Sequence, residues 1–198
     1  MIIFTRPEMN TKNIMIVGVG GQGSLLASKL LGRLLLGKGY DIKVSEVHGM
    51  SQRGGSVVTY VRYGEKVYSP IIDKGEADYI IAFEILEAAR WTEYLKADGK
   101  IITNTQKINP MPVITGATVY PENLSGQMRQ AGLDVDTFDA LSLAEQAGSA
   151  KCVNLVLMGR LSKYFDLPLT DWMDAIEKSV PSKFLEMNRQ AFLLGRNS

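Results

Sequence analysis

The chain has 198 residues, 45% of them hydrophobic and 22% charged, with a formal net charge of +1. That length carries one α/β domain with a substantial core, the balance is that of a soluble globular protein, and the near-zero charge gives no electrostatic reason to expect nucleic acid or an anionic membrane as partner. One cysteine and one histidine exclude an intrachain disulfide, an iron–sulfur cluster of four thiolates held by this chain alone and a zinc site of the usual Cys/His kind.

No apolar run approaches the roughly 20 residues that span a bilayer. "MIIF" at the start is too short for a secretory h-region, so a cytoplasmic location is expected. Residues 1–12 read as a short first strand or a frayed extension, and residues 1–198 as a single domain. "KNIMIVGVG" is an apolar run ending in glycines, the pattern of a buried parallel strand. In the following "GQGSLLASKLLGRLLLGKG", Leu26, Leu30 and Leu34 repeat at four-residue spacing, as do Ala27, Leu31 and Leu35. This is an amphipathic helix with a wide apolar side, ended by Gly37 and Gly39. "YDIKVSEV" is a second strand, so residues 13–47 form a strand–helix–strand crossover.

"SVVTYVRYGEKVYSP" reads as two strands around a turn at Gly64. "DYIIAF" is a strand leading into the helical "EILEAARWTEYL", and "ADGKIITNT" is a turn into a strand. "VITGATVYP" reads as another strand, "ENLSGQMRQAG" as a helix and "LDVDTFDA" as a strand. From residue 139 the pattern is helical, with Pro168 and Pro181 close to helix starts. Trp91 and Trp172 look like packing anchors, at the core or at an interface, and Cys152 like a buried structural thiol. Glu84 and Glu87 read as solvated helix residues. The alternation of strands and helices argues for a Rossmann-like α/β fold, an open, mostly parallel sheet with flanking helices and a helical C-terminal third.

Two glycine-rich loops stand out. "GVGGQG" places Gly18, Gly20 and Gly23 at G-x-G-x-x-G spacing between a strand and a helix, the context that motif requires. With Gly21, Gln22 and Ser24 it offers a tight turn and a helix amino terminus to an anionic group. Three readings stay open: a turn that binds nothing, a phosphate or carboxylate site, and a nicotinamide dinucleotide site with Glu46 on the ribose. "HGMSQRGG" follows the second strand and carries His48, Ser51, Gln52, Arg53, Gly54 and Gly55. Arg53 can pair bidentately with a carboxylate or phosphate. His48 can carry a proton or serve as a structural hydrogen-bonding residue. In an open parallel sheet both loops lie at the carboxyl edge, where ligands sit.

Taken together, "GVGGQG", "KVSEVHGMSQRGGSVVTYVRYGEKVYSP", "GEADYIIAFEILEA", "ITNTQKINP", "FDALSLAEQAGSAKCVNLVLMGRL" and "PSKFLEMNRQAFLLG" resemble the gamma-type domain of the 2-oxoacid:ferredoxin oxidoreductases. The likeness runs from about Asn13 to Gly195, and "VHGMSQRGG" is similar to the indolepyruvate branch, whose small beta subunit has this form, more than to the pyruvate branch. The resemblance implies oxidative decarboxylation of an aryl 2-oxoacid to an acyl-coenzyme A. Thiamine diphosphate, Mg2+ and the iron–sulfur clusters would belong to a large (alpha) subunit, and ferredoxin would be reached through the complex. It implies an obligate subunit, inactive alone, whose free form exposes apolar surface and self-associates. Its two glycine loops would face the partner or the phosphates of coenzyme A as co-substrate, with His48 and Arg53 as the candidates for roles at the active site. Ser24 stands where an apolar residue is expected in many relatives, and its hydroxyl could cap the helix or touch a ligand. The competing functions are a free-standing NAD(P)-binding oxidoreductase and a non-catalytic scaffold subunit.

Overall fold

The computed structural model describes residues 11–47 and 55–198. The chain runs β1 (Lys12–Val19), α1 (Ser24–Gly37), β2 (Asp41–Val47), β3 (Ser56–Gly64), β4 (Ala77–Ala82), α2 (Ile85–Arg90) and β5 (Leu95–Asn104). It continues through α3 (Met111–Ile114), α4 (Leu124–Gln130), β6 (Asp134–Phe138), α5 (Ala140–Gln146), α6 (Val153–Leu161), α7 (Leu169–Ser179) and α8 (Leu185–Asn197). Among the described residues the strands form one sheet in the order β2-β3-β1-β4-β5-β6. β1, β4, β5 and β6 pair in parallel. β3 is inserted antiparallel between β1 and β2, with Ile14 opposite Val61 and Val44 opposite the same residue. β2 therefore runs in the direction of β1 but one strand removed, and the expected crossover spans β3.

Burial on both faces explains why β1 has no polar alternation. Ile14 and Ile16 point to a layer built from α1 and α5 to α8. Met15 and Val17 point to a thinner layer under α2 and α4. In α1 the predicted stripe is the buried one: Ala27, Leu30, Leu31, Leu34 and Leu35 are all at most 4% exposed. Each buried leucine contributes about 2 kcal/mol relative to an exposed one. Gly39, at φ +83°, closes the helix, its amide donating to the Leu36 carbonyl and that of Tyr40 to the Leu35 carbonyl.

In the thick layer α6 and α8 touch backbone to backbone. A methyl group at Gly159 would lie 2.0 Å from the Phe192 carbonyl oxygen, and one at Gly195 would lie 1.9 Å from that of Val156. Trp172 is fully buried there, edge-on to Phe165 at 5.6 Å and against Phe192 at 5.4 Å, whereas Trp91 packs on Tyr94 under the thin layer.

Two expected strands are irregular chain. After Gly64 no strand forms over residues 65–76, because Val67 donates its N–H to Asp41 Oδ2 at 2.9 Å. The Arg62 guanidinium takes the carbonyls of Ser69 and Ile71. Lys43 and the Val67 amide hold the Asp41 carboxyl down to about 2. Residues 113–121 are likewise not a strand. Pro110 starts the single turn of α3, with the amides of Val113 and Ile114 both donating to its carbonyl, and Gly116 leaves it at φ +75°.

Candidate functional site at the carboxyl edge

The glycine turn joins β1 to α1 at the carboxyl edge of the sheet. Gly21 and Gly23 have φ of +100° and +91°, the left-handed region where a side chain is strained. A methyl group at Gly18 would press on Gln22 Oε1 at 2.9 Å and Phe83 Cβ at 3.0 Å. Gly23 is the N-cap of α1, and no side chain caps the helix. Ser24 is its first helical residue, so the capping role expected of its hydroxyl is not the one it fills.

Gln22 straps the turn to its neighbours. Its Oε1 accepts the Val19 N–H at 2.7 Å, and its Nε2 donates to the Phe83 carbonyl at 3.3 Å and to Gln106 Oε1 at 3.4 Å. Buried Asn104 completes the strap, donating to the Phe83 carbonyl and accepting the Ala140 N–H at the start of α5. The turn after β1 leads to a helix on one face and the turn after β4 to a helix on the other. Parallel neighbours whose connections diverge in this way open a crevice at their carboxyl ends.

A cleft of about 420 Å³ lies in that crevice. Gly21, Gln22 and Gly23 form one wall, Gln106 and Ile108 another, and Lys151 and Val153, at the start of α6, face them. Asn154, one residue beyond Val153, donates from Nδ2 to the Gly23 carbonyl at 3.5 Å and so ties α6 to the glycine turn. The uncapped amino terminus of α1, the Gly21–Gly23 backbone and one lysine therefore border a single space, an arrangement suited to a phosphate-bearing ligand; the amides leading into α6 are already taken by Ser149 and Ala150. A second cleft, of about 380 Å³, flanks the turn on its other side, between Ser24, Leu25, Val57 and Thr59.

The described end of the second loop meets the first: Gly20 donates its N–H to the Gly55 carbonyl at 2.9 Å. His48, Ser51, Gln52, Arg53 and Gly54 lie outside the described residues. Glu46, at the end of β2, accepts a hydrogen bond from Ser28 on α1 at 3.1 Å. With β3 between its strand and β1, it does not follow the strand next to the glycine turn, as the ribose-binding acid of a dinucleotide site does.

Glu84 and Glu87 are not solvated; they are 1% and 4% exposed. Glu84 caps α2, its Oε2 accepting the Glu87 N–H at 2.8 Å. Its Oε1 accepts the Ile108 N–H at 3.1 Å and the Tyr120 hydroxyl. Burial and the Glu84 carboxylate push the Tyr120 hydroxyl well up. Glu87 accepts the Ser56 hydroxyl on Oε2 and lies 3.5 Å from Arg90 Nε on Oε1; burial pushes its carboxyl up. A third cleft of about 230 Å³ opens beside it, bordered by Val19, Gly55, Ser56, Arg90 and Met111. Cys152 is 2% exposed, and burial raises its thiol, so it is no nucleophile.

Lys151, Gln106 and the two glutamates carry no local signal. Gln106 meets Gln22 across 84 residues, Glu87 meets Ser56 across 31 and Glu84 meets Ile108 across 24, and only the crossover topology brings Lys151 to the glycine turn.

A family model for pyruvate ferredoxin/flavodoxin oxidoreductase matches residues 13–198. The chain is 44% identical to the indolepyruvate oxidoreductase subunit IorB of Thermococcus kodakarensis, over 94% of this chain and 95% of the relative. It is 42% identical, over the same shares, to the protein of that name from Pyrococcus horikoshii. The fold is that of the gamma subunit of a keto/oxoacid ferredoxin oxidoreductase from Geobacter sulfurreducens (TM-score 0.69, 21% identity, 94% of this chain and 96% of that one). It also matches a 2-oxoglutarate:ferredoxin oxidoreductase from Magnetococcus marinus, solved with 2-oxoglutarate, coenzyme A and succinyl-CoA bound (TM-score 0.71, 16% identity). There 97% of this chain corresponds to 31% of a longer one.

Proposed function

The chain belongs to the pyruvate ferredoxin/flavodoxin oxidoreductase family, and from that premise we propose that it is the small, gamma-type subunit of an indolepyruvate (arylpyruvate):ferredoxin oxidoreductase. The observation that carries the reading is the 44% identity, over nearly the full length of both chains, to a protein named as an indolepyruvate oxidoreductase subunit. In this reading a larger subunit holds thiamine diphosphate, Mg2+ and the iron–sulfur clusters, supplies the decarboxylation and passes electrons to ferredoxin. A four-thiolate cluster does not fit this chain, whose single cysteine is buried. Among the described residues no group of three or more His, Cys, Asp or Glu could hold a metal ion, and no helix is long and apolar enough to cross a membrane.

This chain's own part is to bind and orient. The Gly21–Gly23 backbone, the amino terminus of α1 and Lys151 border the cleft that takes the phosphates of coenzyme A. Arg53 adds charge from the neighbouring loop and His48 orients an adjacent group. Met111, Ile114 and Val119 are 64%, 64% and 83% exposed on the connection above the same edge, which supports docking of the larger subunit there.

The test is anaerobic capture of the tagged chain from its own cells, with assay of the eluate for thiamine diphosphate, iron and oxoacid-dependent ferredoxin reduction. A large partner bringing all three supports the reading, and a panel of oxoacids then names the substrate. A chain recovered alone overturns it. In the reconstituted complex, Arg53→Ala and Lys151→Ala should each raise the coenzyme A KM about 10-fold with assembly intact; an unchanged KM removes that residue from the site.

A further inference from the structure

The proposed ligand cleft leaves Glu87 unused, although it is a buried carboxylate at the junction of both loops. Ser56 is the first residue of β3 and lies opposite Val19, the last residue of β1. It follows Gly55, whose carbonyl holds the Gly20 N–H. The Ser56 hydroxyl is in turn held by Glu87. Glu87 therefore stands behind a relay: carboxylate to Ser56 hydroxyl, Ser56 backbone to Gly55 carbonyl, Gly55 carbonyl to Gly20 amide. Glu87, Ser56 and Gly55 border a space of their own, which meets the 420 Å³ cleft only at Ile108.

We propose that Glu87 is a positioning residue that sets the glycine turn through Ser56 and Gly55, without touching the ligand. The bond is strongest when the carboxyl is ionised, because a charged acceptor takes a hydroxyl proton more strongly than a neutral one. Among the described residues, the charged or titratable groups that face Glu87 are Arg90 on its own helix, Glu84 at the helix cap and, beyond Glu84, Tyr120. Burial, with Glu84, opposes ionisation, while the Ser56 hydroxyl and Arg90 favour it. The balance leaves the carboxyl above its ordinary range, so protonation loosens the relay at a higher pH than an exposed glutamate would.

The inference goes beyond the subunit assignment and is read on the full chain, so either can fail alone. The measurement is amide hydrogen exchange at Gly20, followed by NMR and corrected for the intrinsic pH dependence of exchange, with Ile80 in β4 as internal reference. In the wild-type chain the protection of Gly20 should fall as pH drops through the Glu87 titration. Ser56→Ala, at an exposed position, should cut that protection about 10-fold at neutral pH and leave Ile80 unchanged. Glu87→Gln keeps an acceptor for Ser56 but cannot ionise, and should hold Gly20 at the acid plateau at every pH. Wild-type protection in Ser56→Ala, or a wild-type pH profile in Glu87→Gln, overturns the proposal. If the two variants lower Gly20 and Ile80 protection equally, the effect is global and the relay is equally refuted.

Discussion

On one face of the sheet α1 and α5 to α8 bury an apolar layer around Trp172 and Phe192. On the other, under the short helices α2 and α4, Glu84 ties the start of α2 to the connection over residues 105–121 and Glu87 ties α2 to the start of β3. The thick face is held by close packing, down to helices whose backbones touch. The thin face lacks the area for that and substitutes hydrogen bonds to buried charge, each costly to desolvate. The candidate cleft lies where the two meet: the glycine turn and the start of α6 come from the close-packed side, and Gln106 and Ile108 from the connection held by polar contacts.

The largest effect is expected where packing leaves no room. Gly195→Ala places a methyl group 1.9 Å from the Val156 carbonyl oxygen, so α6 and α8 must separate. We expect a loss of about 3 kcal/mol, read by urea melts, while Gly37→Ala, with nothing within 4 Å of the added methyl, should gain a few tenths of a kcal/mol. Equal effects would mean that the helices are not in backbone contact.

On the thin face, Glu84→Ala removes the acceptor of three hydrogen bonds and should cost about 2 kcal/mol. Its diagnostic is local: limited proteolysis should cut within residues 105–121 sooner than elsewhere. Uniform digestion would place Glu84 among ordinary core residues.

The two faces should also answer pH with opposite sign. Asp136, on the thick side, receives a bidentate bond from Arg160 at 2.7 and 2.8 Å. Against the cost of burial, that arginine and Tyr164 hold its carboxyl below the ordinary range. Its contribution is therefore present above about pH 4 and lost as pH falls through its native value. Glu87 lies above its ordinary range. Its contribution is present in acid and lost as pH rises through its native value, because a buried acid must then ionise. Asp136→Asn should cost about 2 kcal/mol at pH 7 and progressively less in acid. Glu87→Gln should gain on the wild type as pH rises, at the expense of the local bond to Ser56. Parallel pH curves for the two variants would break the comparison. The smallest effect belongs to Lys151→Ala: the residue is exposed, and its melting temperature should not move while the coenzyme A requirement does.

How far the sequence reached follows the same division. β1, α1 and the glycine turn were legible because an apolar run, a four-residue repeat and glycines at fixed spacing are local signals. The insertion of β3 was not, because its pairing with β1 joins residues such as Lys12 and Tyr63 that no periodicity relates. Glu84 and Glu87 resemble solvated helix charges until Ile108, Tyr120 and Ser56 are brought against them. Gly159 and Gly195 look like two weak helix formers until α8 is laid across α6. Of the candidate site, the first loop and its meeting with Gly55 could be foreseen, whereas Lys151 could not.

Cys152 has a practical consequence. It is the only thiol in the chain, 2% exposed and raised by burial, so alkylating reagents and maleimide dyes will pass it by. The wild-type protein is in effect a cysteine-free background. A single replacement such as Met111→Cys, on the exposed connection above the cleft, introduces one reactive handle, and a fluorophore there would report the arrival of a second subunit without any catalytic turnover.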